Sequence, residues 1–336
     1  MQRLYPHQGQ TQKYPICFLT NGGGVTEAQK AQQLSDWLGV RIGEHQVVLS
    51  HTPFRSLAKS LGSKPVLVAG VGQVVHVARE YGFKHILTTA DIAHAMPKAV
   101  PFWKDSSGQG PPAPGECPVM NLGLGSPKRP IEAILVFKDP GDWYLDLQIM
   151  TDVILGGGVL GRWKCPGEGD RVTVPVYFSN PDLLWATDYP APRFGQGAFA
   201  AALRELYHQT TGKELEHHYY GKPNRAPYAL AEELLLAQAV TLGQVPASSG
   251  AWTAKSGAAS AFGAIYAVGD NPKADIAGAN AQGRPWVSML VRTGVFTGGE
   301  GQNDREHPAD VVVDDVADAV EAALHRTRSS EWHSLR

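Results

Sequence analysis

The chain is poor in cysteine: Cys17, Cys117 and Cys165 are its three thiols in 336 residues, widely spaced and odd in number. That count excludes a disulfide-stapled framework and a thiolate metal cluster, leaving isolated thiols. Long hydrophobic runs are lacking too, and since no apolar stretch approaches the ~20 residues that cross a bilayer, no membrane span is expected. Neither sign of charge is in excess; the formal net charge is -2, which argues against a general nucleic-acid surface. Residues 1–13 are polar, with no hydrophobic stretch of the kind a secretory signal needs. Acidic groups are absent from the start of the chain: no aspartate or glutamate precedes Glu27, and Asp36 is the first aspartate.

What is present is core-forming material, 43% hydrophobic residues, enough for one large or two ordinary domains. Strand-like and helix-like segments alternate. Tyr14–Thr20 reads as a strand, Gly22-Gly23-Gly24 as a turn, and Thr26–Leu38 as a helix with Thr26 as its N-cap. Strands are expected at 46–50, 64–69, 85–89, 131–137, 172–178, 264–268, 286–291 and 310–313. Helices are expected at 74–81, 143–155, 199–210, 228–242 and 315–325. This alternation predicts an α/β fold with a mainly parallel sheet. Between Pro101 and Pro130 the chain turns rich in proline, glycine and serine, as a loop does.

The strongest chemical clue is the run from Ala264 to Asn280, where a short apolar strand delivers Asp270 and Asp275 into a glycine-rich turn. Two carboxylates at a strand end suit a hard cation and its phosphate partner, although turn and cap roles are common for such aspartates. Thr20 and Asn21 close the first strand, where a hydroxyl and the following amides, Gly22 included, can hold phosphoryl oxygens; a simple strand-end cap is the plainer role. Lys222 opens a helical segment with a compact, mobile positive charge, or is merely a solvated lysine. Gly70-Val71-Gly72 fails the dinucleotide fingerprint because position 75 is Val75. His217 and His218 are adjacent, so they do not converge as i,i+4 zinc ligands do. His51 stands near an expected domain junction, where a structural hydrogen bond is the plainer role.

Several motifs together resemble the class IIA haloacid-dehalogenase-like (HAD) hydrolases, and among them the eukaryotic branch of the cat-eye-syndrome critical region protein. They are Phe18-Leu-Thr-Asn-Gly-Gly-Gly-Val-Thr-Glu27, Ser50-His-Thr-Pro-Phe54, Tyr81-Gly-Phe83, Asn180-Pro-Asp182, Gly221-Lys-Pro-Asn224, Val268-Gly-Asp-Asn-Pro272 with Asp275-Ile-Ala-Gly-Ala-Asn280, and Leu290-Val-Arg-Thr-Gly-Val-Phe296. The resemblance implies a three-layer, Rossmann-like core formed by residues 1–50 and 191–336, with an α/β cap inserted at 51–190. It implies Mg²⁺-dependent hydrolysis of a small phosphomonoester through an aspartyl-phosphate. Thr20, with Asn21 and Gly22, would bind the phosphoryl group. Lys222 would neutralise the nucleophile and the phosphate, Asp270 would ligate Mg²⁺, and Asp275 would support that acidic site. The resemblance also implies a mitochondrial location, with the cytoplasm as the alternative; it leaves the oligomeric state open.

One departure outweighs these matches. Family members carry nucleophile and acid/base on a strand of form Asp-x-Asp-Gly before the threonine motif, and the nineteen residues preceding Thr20 contain no carboxylate. The first carboxylate of such a pair attacks phosphorus, and the second protonates the leaving oxygen and then activates water. This chain is therefore expected to be inactive as a phosphatase, with the first core strand missing as in a truncated gene product; the competing expectation is a non-catalytic phosphate-binding or structural protein. A sheet short of that strand would leave backbone groups unpaired unless Tyr5–Gln12 or another chain filled the slot. Asp182 and Asp188 are the least implausible substitute nucleophiles, while Asp36 reads as a solvated helix residue.

Overall fold

The computed structural model describes residues 3–5, 12–105, 118–163, 174–185, 187–246 and 258–328. Cys117, Cys165 and most of residues 1–12 lie outside them. Among the described residues the strands are, in chain order, β1 (Phe18–Leu19), β2 (Val47–Val48), β3 (Pro65–Ala69), β4 (His85–Leu87), β5 (Ala133–Val136), β6 (Val176–Phe178), β7 (Leu184–Trp185), β8 (Arg193–Phe194), β9 (His217–Tyr219), β10 (Ile265–Gly269), β11 (Trp286–Val291) and β12 (Val311–Val313). The chain forms two compact units. The first comprises Met1–Leu19, Ala31–Val48 and Lys222–Arg336, and the second Thr20–Lys30 and Leu49–Gly221.

The second unit is built on a five-stranded parallel sheet in the order β4-β3-β5-β6-β9. Its central strands β3 and β5 are continuous, fully buried apolar runs because both faces are covered, so successive residues bury on opposite sides. Leu67, Ile134, Val136 and Phe178 join one cluster, with Ile149, Met150, Phe199 and Leu203 of the helices Trp143–Leu155 and Gln196–Thr211. Val66, Val68, Ala133 and Leu135 join another, with Phe54, Val74, Val77 and Phe83. The segment 191–221, expected on the core side of the inserted cap, is part of this unit, since β9 pairs with β6 through Val176↔His217 and Phe178↔Tyr219.

Local rules account for most element ends. Thr26 caps the helix Glu27–Leu38 as expected: its hydroxyl accepts from Gln29 N (3.2 Å), and Gln29 Oε1 accepts from Thr26 N (3.1 Å). The strand expected at 85–89 stops at Leu87. Thr88 and Asp91 form a reciprocal cap, which starts a helix at Thr89. Asp142 caps Trp143–Leu155 by accepting from Leu145 N at 3.1 Å.

That last helix also buries an acid. Asp146 is 6% exposed and accepts from Thr89 Oγ1 at 2.6 Å. Burial pushes its carboxyl up to about 6, against the lowering effect of the Thr89 bond. A raised folded value means that the group adds stability below the ordinary carboxylate range and loses it as pH rises through about 6. Asp146→Asn is therefore expected to stabilise the protein by about 1–2 kcal/mol at pH 7.5 and to add nothing at pH 4. Urea unfolding at the two pH values checks this; equal effects at both would refute it.

In the first unit, β10-β11-β12 form a parallel sheet, and β1 and β2 form a separate parallel pair. β11 is buried along its whole length, while Val268 of β10 is 39% exposed. Among the described residues no strand pairs with the second edge of β10 or of β1. Tyr5 and Gln12 are buried, the Tyr5 hydroxyl accepting from Gln46 Nε2 at 2.9 Å and the Gln12 amide donating to Gln238 Oε1. Residues 6–11, the rest of the segment considered for the strand slot, lie outside the described residues.

Candidate phosphate-binding residues

Leu19 ends β1, and the turn Thr20–Gly24 follows it in the second unit. Every carbonyl of the glycine run is tied down: Gly22 O accepts from Ser50 N (3.1 Å), Gly23 O from Lys138 Nζ (3.0 Å) and Gly24 O from Gln73 N (2.8 Å). A loop whose carbonyls are bonded to protein donors no longer turns them against an anion, which is the requirement for a phosphate cradle. Thr20 Oγ1 accepts from Gly22 N at 3.0 Å, a bond that leaves the hydroxyl proton available to donate. Glycine is obligatory at 23 and 24. A Cβ at Gly23 would stand 2.7 Å from His51 Cδ2, and Gly24 has φ +84° with Lys138 Cδ 2.5 Å from where a Cβ would be.

Asn21 is bonded through its side chain and its carbonyl. Its side-chain amide donates to both oxygens of Asp182, at 3.2 and 3.1 Å, and its carbonyl accepts from Asn180 Nδ2 at 3.2 Å. Asp182, weighed as a substitute nucleophile, therefore has its carboxylate engaged. Asp188 is exposed, and Asp36 accepts from Gln32 Nε2 on the solvent side of its helix.

Beneath the loop lies a network that sequence reading missed except for His51. Glu27, 4% exposed, accepts from Tyr81 Oη (2.5 Å), Thr52 Oγ1 (2.7 Å) and Arg55 Nη2 (2.9 Å). Burial pushes its carboxyl up, but the Tyr81 and Thr52 bonds and the Arg55 charge outweigh this and hold it below the usual range. His51, fully buried, contacts Tyr81 Oη through Nδ1 (2.8 Å) and Gly24 N through Nε2 (3.2 Å). The motifs at 18–27, 50–54 and 81–83, far apart in sequence, thus meet in one hydrogen-bonded cluster. A carboxylate at the start of a helix, facing Ser50-His-Thr-Pro-Phe54, was the available signal, but only the fold pairs them.

In the first unit, Lys222 is not a solvated lysine. Its Nζ donates to Leu19 O (3.1 Å) and to Asp275 Oδ1 (2.5 Å), and the two side chains are 12% and 13% exposed. Asp275 Oδ2 accepts from Asn271 N at 3.0 Å, so both of its oxygens are engaged. Asp270 Oδ2 accepts from Val295 N at 2.7 Å; Gly294 permits that approach, since a Cβ there would fall 2.0 Å from the same oxygen. Asp275→Ala leaves the largely buried Lys222 ammonium without its counter-charge, and is expected to cost about 3 kcal/mol. Thermal unfolding checks this, and a change below about 1 kcal/mol, the worth of a surface pair, would refute it.

Magnesium takes six oxygens in near-octahedral geometry, with one or two carboxylates beside waters and phosphate. Among the described residues no group of three His, Cys, Asp or Glu could hold a metal ion, and of the two site aspartates only Asp270 has an oxygen outside these hydrogen bonds. The described residues do not by themselves make a magnesium site, and Asp275 serves Lys222 and the Asn271 turn.

The parallel α/β units, the glycine loop after β1, and the largely buried pair of Lys222, after β9, with Asp275, after β10, fit a hydrolase-type scaffold of the HAD class. Family models agree: one described as haloacid dehalogenase-like hydrolase matches residues 7–84, and a second, HAD-hydrolase-like, matches residues 219–319. A mitochondrial hydrolase of Saccharomyces cerevisiae is 35% identical over 322 residues, covering 94% of this chain and 87% of that protein. The chain belongs to the HAD-like hydrolase family. A cardiolipin synthase (CMP-forming)/mitochondrial hydrolase fusion protein of Schizosaccharomyces pombe is 36% identical over 319 residues, and this chain spans about half of it, 48%. A crystal structure of a hypothetical protein from Pyrococcus horikoshii matches with a TM-score of 0.57 at 20% identity, covering 92% of this chain and 87% of that one. A glycerol phosphate phosphatase from Mycobacterium tuberculosis, solved in complex with magnesium, matches at 0.51 and 19%, covering 92% and 68%. At these identities the structures show the shared fold.

Proposed function

We propose that this chain is a phosphate-binding member of the HAD-like hydrolases, descended from Mg²⁺-dependent phosphatases of small phosphomonoesters, and inactive in the form of these 336 residues. One observation carries the reading: Lys222 is largely withdrawn from solvent, paired with Asp275, and held on the carbonyl of the residue immediately before Thr20. In this reading the Thr20 hydroxyl binds the phosphoryl oxygens together with loop amides outside the Gly22–Thr20 and Gly24–His51 bonds, Gly22 serving to orient that hydroxyl, and Lys222 neutralises the phosphoryl charge. Asp270 is the residue that would hold Mg²⁺, a family expectation, and Asp275 keeps Lys222 in place. The inserted segment, counted from sequence as 51–190, acts as a cap that excludes water and reads the leaving group. The nineteen residues before Thr20 hold no carboxylate to attack phosphorus, so for these 336 residues by themselves the reading is binding without covalent turnover.

The S. pombe relative joins this kind of hydrolase to an enzyme that forms CMP. CMP is itself a phosphomonoester, so it heads the panel of substrates. Both yeast relatives are named mitochondrial hydrolases, and a mitochondrial location is proposed here for this protein, to be checked by imaging a fluorescent fusion of the full chain. The experiment for the ancestral chemistry is a phosphate-release screen on a chain extended at its N-terminus by a strand ending in Asp-x-Asp-Gly. CMP, glycerol phosphates and other small phosphomonoesters are tested with and without Mg²⁺. Turnover that requires both the extension and the metal supports the reading; no turnover under any condition favours the non-catalytic alternative.

A further inference from the structure

The protons beneath the glycine loop can be counted from its hydrogen bonds. Glu27, ion-paired with Arg55, is an acceptor only, so the single Tyr81 proton goes to Glu27 Oε1 at 2.5 Å. The Tyr81 oxygen also lies 2.8 Å from His51 Nδ1, and with its own proton spent it can only accept there. Nδ1 therefore carries the ring proton. Gly24 N points at Nε2 from 3.2 Å, and an amide N–H needs a lone pair, so Nε2 is bare. A doubly protonated ring would set N–H against N–H at that position.

We propose that His51 is a positioning residue for the phosphate-binding loop, holding the Gly24 amide through the bare Nε2 of an imidazole protonated on Nδ1. The proposal rests on the reading of Thr20–Gly24 as a phosphate cradle. A chain of hydrogen bonds runs from Arg55 through Glu27, Tyr81 and His51 to Gly24, and its inner members are all buried: Glu27 is 4%, Tyr81 7% and His51 0% exposed. The ring packs directly under Gly23, where there is no room for a side chain. Burial, the largest effect, brings its pKa down to about 4 and keeps it neutral; Arg55 and Lys138 also oppose a charged ring, while Glu27 and the Val25 backbone favour one. His51 thus acts on the loop from below and touches no substrate.

The test uses the full chain. Nitrogen NMR of the imidazole at pH 7 is expected to show the Nδ1–H tautomer, and the Gly24 amide is expected to exchange slowly. In His51→Ala, Gly24 exchange is expected to accelerate roughly tenfold beyond any change at Leu67 in β3, with inorganic phosphate affinity falling by a similar factor, as the loss of one buried hydrogen bond implies. His51→Gln, which restores an acceptor, is expected to recover most of both, a rescue that a purely space-filling role would not produce. An Nε2–H or charged ring at pH 7, or Gly24 exchange that rises no more than Leu67 exchange, overturns the proposal. If wild type binds no phosphate, the cradle reading fails, and the tautomer and exchange results still decide the role of His51. Should His51→Ala not fold, the tautomer and the Gln variant decide it.

Discussion

A protein of these 336 residues is expected to bind inorganic phosphate saturably and to release none from any phosphomonoester, with or without Mg²⁺. Removing the covalent nucleophile of a hydrolase costs on the order of 10⁶-fold in turnover, and here the residues preceding Thr20 offer no carboxylate. Binding draws on different groups. Lys222→Met removes a charge-assisted bond and is expected to weaken phosphate affinity by about 10- to 100-fold, with circular dichroism confirming that the variant is folded. Calorimetry with phosphate and a phosphate-release assay with CMP check both halves. Mg²⁺-dependent turnover by this chain that vanishes in Asp270→Ala would refute the inactivity. Absence of saturable binding in a cooperatively folded protein would refute the phosphate reading.

The second large effect concerns Glu27. Glu27→Ala strips the acceptor from Tyr81 and Thr52, both buried, and the counter-charge from Arg55, whose side chain is 55% exposed. Because the guanidinium can turn to solvent, most of the loss comes from the two hydroxyls, and the expected destabilisation is about 3 kcal/mol. The same cluster sets an acid limit. Glu27 has a lowered folded pKa, so its contribution is present above the ordinary carboxylate range and is lost as pH falls through the folded value. His51 is lowered from 6.5 to about 4, so its contribution is complete above pH 6.5 and shrinks as pH falls toward 4. Asp146 works the other way, gaining as pH falls through about 6. Urea midpoints are therefore expected to decline below pH 6.5, less steeply in His51→Gln and more steeply in Asp146→Asn. A wild-type midpoint constant from pH 7 to 4.5 that stays constant in Asp146→Asn would contradict the assignment of the buried, neutral imidazole.

Parts of this fold were readable one segment at a time. The helix Trp143–Leu155 and the strand Trp286–Val291 have the ends expected from their hydrophobic pattern, and Thr26 with Gln29 forms the cap that its spacing announces. Thr88 was misread as strand because the apolar run His85–Leu87 continues into residues whose Thr-x-x-Asp spacing favours a helix start. β9 went unread because His217-His218-Tyr219 lacks an apolar period. Its strand state comes from pairing with β6, and His218 stacks on Tyr177 with ring centroids 5.1 Å apart.

The sequence by itself determined the alternation of strands and helices, the parallel α/β class and the candidates Thr20, Lys222, Asp270 and Asp275, because periodicity, caps and motif spacing are local properties of the chain. Only the tertiary structure decided which partners the residues around those candidates bond to. It spent Asp275 on Lys222 and Asn271, turned the Asn21 side chain to Asp182, and set Glu27, Tyr81 and His51 beneath the glycine loop. The physical reason is that a buried polar group must find its hydrogen-bond partner wherever the fold delivers one; here the partner of Glu27 is Tyr81, 54 residues away.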